Sequence, residues 1–365
     1  MVRSRRTIRW MTSILVVILA GVALPRPAAA QCDYEIIRPD EWQPATYGFW
    51  QVIPSLLDTP AAMAVSDDLL VLASDQRIPD PGYYRDHEPF QVSGLMIFRR
   101  LQGEWKFETL LLDPKRRTTE DLPKGQEFGA AVAIQQDRLL AAAPTELFLY
   151  HRVNEKWAVE TVIRPEPVTN EGFYTYRDDL VWIDDEVIAS AYYVSPDHES
   201  TPVVLVLRED ETGWSLVREL RDPEGDDNSR FGSGLERSGD RLAIGAPAAG
   251  QGRPGRIDFY GRTDGTWVRE DFISGTEIDG YRLGHPGMSL VGDTLVAATP
   301  SPDDDDYTGA LHIIERDADG TWSQTQRLPI PVNPDEAQQP GPRTDIYRLD
   351  FDGERIVVVR PSGGH

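Results

Sequence analysis

The sequence predicts an all-β fold: a β-propeller of four-stranded blades, six in number, with seven as the alternative. Three observations predict it. A phrase recurs: Asp137-Arg138-Leu139-Leu140-Ala141-Ala142-Ala143-Pro144, then Asp240-Arg241-Leu242-Ala243-Ile244-Gly245-Ala246-Pro247, then Asp293-Thr294-Leu295-Val296-Ala297-Ala298-Thr299-Pro300. Each copy is followed by a β-branched and aromatic run and a tight turn. No long stretch after the N-terminal apolar run places apolar residues at i, i+3, i+4 and i+7, the pattern of an amphipathic helix. Repeats of this size with strand chemistry mark an array of sheet units, and such arrays close into rings.

The acidic residue before each apolar run marks the units: Asp68, Asp137, Asp185, Asp240, Asp293 and Glu354. The separations are 69, 48, 55, 53 and 61 residues, so constant strands are joined by variable loops. In each unit the first strand is short, and it holds Phe128-Gly129 in one unit and Phe231-Gly232 in another. The second follows the marker. Its alanines, glycines and small branched residues suit close packing near an axis, and Pro144, Pro247 and Pro300 end the pairing by removing a donor. The third strand is an apolar run such as Leu147-Phe148-Leu149-Tyr150 or Leu311-His312-Ile313-Ile314. A turn with hairpin chemistry, such as Asp264-Gly265 or Asp319-Gly320, leads to the fourth strand, which opens on Trp105, Trp157, Trp214, Trp267 or Trp322. These tryptophans read as packing between neighbouring blades.

The ends complete the count. The last unit has Tyr347-Arg348-Leu349 and Ile356-Val357-Val358-Val359 and lacks its third and fourth strands. Tyr34-Glu35-Ile36-Ile37 and Phe49-Trp50-Gln51-Val52-Ile53 match the missing pieces, so the sixth blade is expected to be shared between the N- and C-termini. Closure removes the sheet edge that would otherwise invite aggregation.

Residues 1–30 read as a signal peptide, with residues 31–365 as a single propeller domain. Arg3, Arg5, Arg6 and Arg9 form its basic region, Ile14 to Leu19 its apolar centre, and Ala28-Ala29-Ala30 its cleavage site. Ser4-Arg5-Arg6-Thr7-Ile8 is close to a twin-arginine signal, although Arg9 stands where that signal has an apolar residue. Gln31 before Cys32 disfavours lipoprotein processing. The expected location is therefore the periplasm or the exterior, with no membrane insertion after cleavage. One cysteine excludes an internal disulfide, so packing must hold the fold. Removing the leader takes five arginines and no acid, which moves the net charge from −23 to −28. That charge disfavours nucleic acid and anionic membrane surfaces as partners.

The phrase from Phe231-Gly232 through Gly239-Asp240-Arg241-Leu242-Ala243-Ile244-Gly245-Ala246-Pro247 to Gly255-Arg256-Ile257-Asp258-Phe259-Tyr260 and Trp267 resembles the FG-GAP repeat. That repeat builds the propeller of integrin α-subunits and of many secreted bacterial proteins. The resemblance is clear again from Phe128 and from Leu283-Gly284, and weaker in the units marked by Asp68 and Asp185. It implies adhesion or ligand recognition, and in some members Ca²⁺ binding. Integrin-type propellers have seven blades, where this chain supplies six. The family's D-x-D-x-D-G-x-x-D calcium loop is not matched. Asp303-Asp304-Asp305-Asp306 lacks the alternation, and the loop with Asp222 and Asp226 comes nearer without fitting. Asp222, Asp226, Asp303 and Asp305 are the candidate ligands if Ca²⁺ binds, although no cofactor is required by this reading.

Loop lengths locate the working face. The first-to-second and third-to-fourth turns are short, whereas the second-to-third and inter-blade connections are long and lie at the opposite face. Recognition concentrates on long loops of a rigid scaffold. The candidate ligand-binding residues are Tyr83, Tyr84, Asp86 and His87 in one loop, Tyr192, Tyr193, Asp197 and His198 in a second, and Tyr307 in a third. Tyrosines among carboxylates suit sugars, cationic peptides or divalent metals. No His-Glu-x-x-His, Gly-x-Ser-x-Gly or Cys-x-x-Cys signature occurs. The leading expectation is an exported non-catalytic propeller binding a protein or glycan. The alternatives are a hydrolase or lyase using carboxylates in the propeller mouth, with or without a metal, and a structural component of a surface assembly.

Overall fold

The computed structural model describes residues 15–20, 33–37, 60–66, 68–79, 91–102, 104–115, 128–167, 172–284, 287–300, 309–329 and 348–360. Among them are twenty-four strands in six four-stranded antiparallel sheets, with no α-helix. Strands β1 (Leu15–Ala20) and β2 (Asp33–Ile37) join β23 (Arg348–Phe351) and β24 (Arg355–Arg360) in one sheet that unites the two ends of the chain. The other five are consecutive. They are β3–β6 (Pro60–Val65, Leu69–Pro79, Gln91–Leu101, Glu104–Leu112), β7–β10 (Val132–Gln135, Arg138–Ala143, Glu146–Val153, Lys156–Ile163) and β11–β14 (Phe173–Ile183, Glu186–Val194, Ser200–Asp210, Gly213–Arg221). The last two are β15–β18 (Gly234–Ser238, Arg241–Ala246, Arg256–Thr263, Thr266–Ser274) and β19–β22 (Met288–Val291, Thr294–Thr299, Ala310–Arg316, Trp322–Pro329). First strands pack side by side along the series, β3 on β7, β7 on β11, β11 on β15, β15 on β19 and β19 on β23, as the inner strands of a β-propeller do.

The uniting sheet differs from expectation in one strand. Tyr34 to Ile37 does lie in it, within β2, but the strand paired to β24 is Leu15–Ala20, with Val17 opposite Val358. Phe49 to Ile53 lies outside the described residues. The physical reason is that Val16, Val17 and Ile18 are β-branched. A short apolar run of that kind serves a leader and a buried strand equally, and its period cannot tell them apart. Cleavage after Ala30 would fall between β1 and β2.

The core lies between sheets, not within one. One apolar cluster joins Val71, Ala73, Leu95 and Ile97 of the first consecutive sheet to Leu139, Ala141 and Ala143 of the next. The alternate residues of the same strand, Leu140 and Ala142, enter the cluster shared with Tyr174, Tyr176 and Val187 on the far side. Both faces of each second strand are thus buried, which is why these strands read as unbroken apolar runs. The same alternation sends Leu242 and Ile244 one way and Ala243 the other.

Each marker acid is a turn residue. The carbonyls of Asp68, Asp137, Asp185, Asp240 and Asp293 accept from the amides of Arg100, Arg152, Glu209, Arg262 and Arg316, which tie the first-to-second turn to the end of the third strand at 2.7–3.0 Å. The expected Phe-Gly pair sits one turn earlier than expected, before the first strand rather than in it. Gly129, Gly232 and the equivalent Gly284 have φ of 91°, 93° and 88° and lean on the preceding sheet. A Cβ there would stand 2.7 Å from Leu95, 2.8 Å from Val204 and 2.6 Å from the Arg256 carbonyl oxygen, respectively. Glycine is required by both the left-handed backbone and the close approach.

Trp157, Trp214, Trp267 and Trp322 lie in apolar clusters that span two sheets, as expected, whereas Trp105 packs among residues of its own sheet, and two of the former carry a polar partner as well. Trp267 donates Nε1–H to Glu186 of the preceding sheet at 2.9 Å, and Trp157 donates to Glu108 at 3.1 Å. Trp322 stacks on Phe259 across the next boundary, with ring centroids 4.0 Å apart. Glu186 is fully buried and is also met by Arg208 at 2.9 Å, Arg262 at 3.2 Å and Arg237 at 3.2 Å. The guanidiniums of Arg237 and Arg262 lie 5.3 and 5.9 Å from the Trp267 ring centre. Glu108 receives Arg152 at 2.9 Å and Arg99 at 2.8 Å. Burial raises the Glu108 carboxyl's pKa, and these donors more than reverse that, leaving it below the ordinary range.

Removing one partner of a buried ion cluster strands the others. Glu186→Ala is expected to cost about 3–5 kcal/mol, and Trp267→Phe, which keeps a ring but loses the donor, about 1–3 kcal/mol. Urea unfolding measures both, and a Glu186→Ala midpoint equal to that of the wild type would contradict the assignment. The glycines should rank by what their Cβ meets. Gly284→Ala, against backbone, should cost more than about 3 kcal/mol and exceed Gly232→Ala, which meets a side chain. Gly239→Ala, with φ of 57° and open space, should cost roughly 1 kcal/mol. A different order in thermal melts would overturn the packing argument.

Candidate functional site

Antiparallel succession gives the two ends of each sheet different connections. At one end the strands are joined by tight turns. Asn154 and Glu155 have φ of 50° and 64°, and Asp264 and Gly265 have 49° and 74°, the doubly left-handed backbone of a two-residue hairpin. At the other end the connections lengthen. Between β14 and β15 runs Asp222 to Ser233, between β16 and β17 runs Pro247 to Gly255, and β18 and β19 are joined through the short 3₁₀ turn Gly275–Glu277. The turn Pro144-Thr145 between β8 and β9 is the short exception at this end.

The predicted site residues divide three ways. Tyr83, Tyr84, Asp86, His87, Asp303, Asp305 and Tyr307 lie outside the described residues. Tyr192 and Tyr193 are strand residues of β12, opposite Thr175 and Tyr174 of β11, and are half-buried. The loop was expected to begin at Tyr192, but aromatic residues extend a strand readily, and the hairpin narrows to Ser195–Glu199. Its tip is closed by Ser195 N–H to the Glu199 carbonyl and His198 N–H to the Ser195 carbonyl, both at 2.9 Å. Asp197 and His198 are exposed there, with no partner among the described residues. Tyr193 packs edge-on to Tyr174 at 6.1 Å, with the Arg221 guanidinium 5.6 Å from its centre. Phe173 at the start of β11 is 47% exposed. By strand alternation Phe173 and Tyr192 share one face and make a ledge at the long-loop end of the β11–β14 sheet, whereas Tyr174 and Tyr193 face the other way.

Asp222 and Asp226 have structural partners. Asp222 accepts Arg256 Nη2–H at 2.9 Å and the Glu224 amide at 2.8 Å. Asp226 accepts the Asn228 amide at 3.0 Å, closing its own turn. Arg256 also pairs with the fully buried Asp258 at 2.8 Å, which Arg269 meets at 2.6 Å. Burial pushes the Asp258 carboxyl above the ordinary range against the opposing pull of both arginines. Sequence reasoning did not find this network, since its members are separated in sequence and only the strand register brings them together. Among the described residues no three His, Cys, Asp or Glu side chains converge as a metal centre.

The three loops at the long end of the β15–β18 sheet are laced by main chain. Ala248 N–H bonds the Ser229 carbonyl at 2.9 Å, Leu283 N–H the Pro254 carbonyl at 2.9 Å and Arg282 N–H the Arg253 carbonyl at 3.1 Å. They form one platform rather than independent arms.

His312 is a packing residue, as its third-strand position suggests. It is fully buried in β21, 2.8 Å from Thr299 Oγ1 through Nε2 and 2.6 Å from Gln324 Oε1 through Nδ1. The carbonyl acceptor assigns the proton to Nδ1, which leaves Nε2 to accept from threonine. Burial holds its pKa below 6.5. The nearby Arg327 charge adds to that, while the Gln324 bond and Asp279 oppose it.

No protein-family model matches the chain, and no curated protein matches it. Solved structures do. A provisional 6-phosphogluconolactonase from Bacteroides uniformis superposes with a TM-score of 0.51 at 12% identity, over 88% of this chain and 84% of that one. The WD40 domain of SCAP from fission yeast gives 0.40 at 12% identity, covering 79% of this chain and 57% of that one. Hsv2 of Kluyveromyces lactis gives 0.40 at 13% identity, covering 72% and 84%. The chain has a β-propeller fold. At such identities the likeness concerns the fold alone. No helix among the described residues is long and apolar enough to cross a membrane.

A prediction follows from His312. The unfolded histidine titrates near 6.5 and the folded one lower, so below about pH 6.5 the unfolded state binds more protons. Its contribution to stability is complete above that pH and declines as pH falls through the window. Urea midpoints should drop on acidification more steeply in the wild type than in His312→Gln, and equal slopes would contradict it.

Proposed function

We propose that the protein is an exported, non-catalytic propeller that binds a protein or glycan ligand through the long connections at one end of its sheets. The observation carrying this reading is the contrast between the two ends: two-residue hairpins at one, laced platforms and an aromatic ledge at the other. A scaffold under selection only for packing has no need of such asymmetry. In this reading the ring has six blades and belongs to the FG-GAP type, supported by the Phe-Gly and Leu-Gly turns at Gly129, Gly232 and Gly284 that seat three of the sheets on their predecessors. The leader is removed on export. No cofactor is required. The Asp197-His198-Glu199 tip stands out in solvent, as a recognition element does, and not in a shared pocket with a second acid.

The test exchanges loops for turns. Replacing Ser195–Glu199 and the Pro247–Gly255 loop by Asn-Gly turns should weaken binding to a panel of glycans and envelope proteins about tenfold or more. Altering the hairpins at Asn154-Glu155 and Asp264-Gly265 should leave it unchanged. Biolayer interferometry reads both, and loss of binding only through the short turns would reverse the assignment of the face.

A further inference from the structure

Three arginines stand on the laced platform in a conformation that arginine disfavours. Arg230 has φ of 57°, Arg253 58° and Arg282 52°. Left-handed backbone is served at least cost by glycine or asparagine. The residue before a Phe-Gly or Leu-Gly turn is Arg230 in one repeat and Arg282 in the next, so the turn dictates the angle. Nothing in the turn dictates the side chain. Arg230 and Arg253 are exposed and Arg282 is half-exposed, and none of the three pairs with a described carboxylate. Three acids of these loops are engaged elsewhere, Asp222 with Arg256, Glu224 with Arg269 and Glu277 with the amide of Ser274, whereas Asp227 and Asp279 are exposed. Main-chain bonds from Arg282 to Arg253 and from Ala248 to Ser229, beside Arg230, hold the three backbones at one end of one sheet. The ledge of Phe173 and Tyr192 occupies the same end of the sheet before it.

We propose that this platform binds an acidic polysaccharide, with the arginines taking uronate carboxylates and the aromatic ledge taking the apolar faces of the sugar rings. This rests on the function proposed above and names its ligand class. Guanidinium and carboxylate match as paired parallel hydrogen bonds, and aromatic rings supply a broad surface at small entropic cost. The acidic whole does not forbid it. Repulsion from remote carboxylates is screened beyond about 8 Å at physiological salt, whereas contact pairs are not.

The experiment uses the full chain with three immobilised probes: an oligogalacturonate, a neutral galactose oligomer of equal length, and polyglutamate. The oligogalacturonate should bind, and the other two should bind at least about tenfold more weakly. Arg253→Asn and Arg282→Asn should each weaken oligogalacturonate binding about tenfold. Neither should lower the melting temperature, because asparagine relieves the backbone. Wild-type binding by both variants, no binding of the uronate, or equal binding of polyglutamate would each overturn the proposal. Neutral-oligomer binding that survives the arginine changes and is lost on loop replacement would overturn it while leaving the proposed function standing.

Discussion

The architecture depends on how each sheet is fixed to the next, and at two boundaries a carboxylate does this, fully buried at Glu186 and partly buried at Glu108. Glu186 and Glu108 each receive an indole N–H and a guanidinium from the following sheet. Apolar faces alone allow neighbouring sheets to slide, since dispersion is not directional. A carboxylate that must meet several donors at hydrogen-bond distance does not. The desolvation of such a group costs several kcal/mol and is offset only in one relative placement. The cluster therefore adds register more than net stability, and it lies where a small angular error would spread around the ring.

Much of this was legible in the sequence, and for physical reasons. The second strands declared themselves because both of their faces are buried, so Leu139 to Ala143 reads as one apolar run. The tryptophans declared themselves through constant position after a tight turn. Their acidic partners did not, because Glu108 sits in a fourth strand and Glu186 in a second. The same interaction is met from different places, so no spacing repeats. Phe-Gly was visible as a motif, but its work on the preceding sheet depends on a positive φ and a close approach that only coordinates reveal. The alternation rules also mislocated the hairpin after Tyr193, since a strand end is set by the last residue that can pair.

The site was legible only in outline. Sequence gives the length of each connection, and length alone separates the two ends. It does not show that the loops around Arg230, Arg253 and Arg282 are bonded into one body, because the residues come from three connections that topology gathers. Nor does it show which acids are free. Asp222 and Asp226 look alike as members of an acidic stretch, yet one anchors Arg256 and the other closes its own turn.

That sorting of charge explains how a strongly acidic chain can present basic groups. At the short-turn end, arginines such as Arg152, Arg262 and Arg316 close the third strand and are drawn into pairs with glutamates across a boundary. Strand register fixes those pairs, so the arginines have no freedom to serve a ligand. At the long end, part of the acids is consumed by Asx turns, by the 3₁₀ cap and by the Asp222–Arg256–Asp258–Arg269 chain. The left-handed arginines remain outside these pairings. Local free charge, rather than the sum over the chain, decides what a surface meets at contact distance.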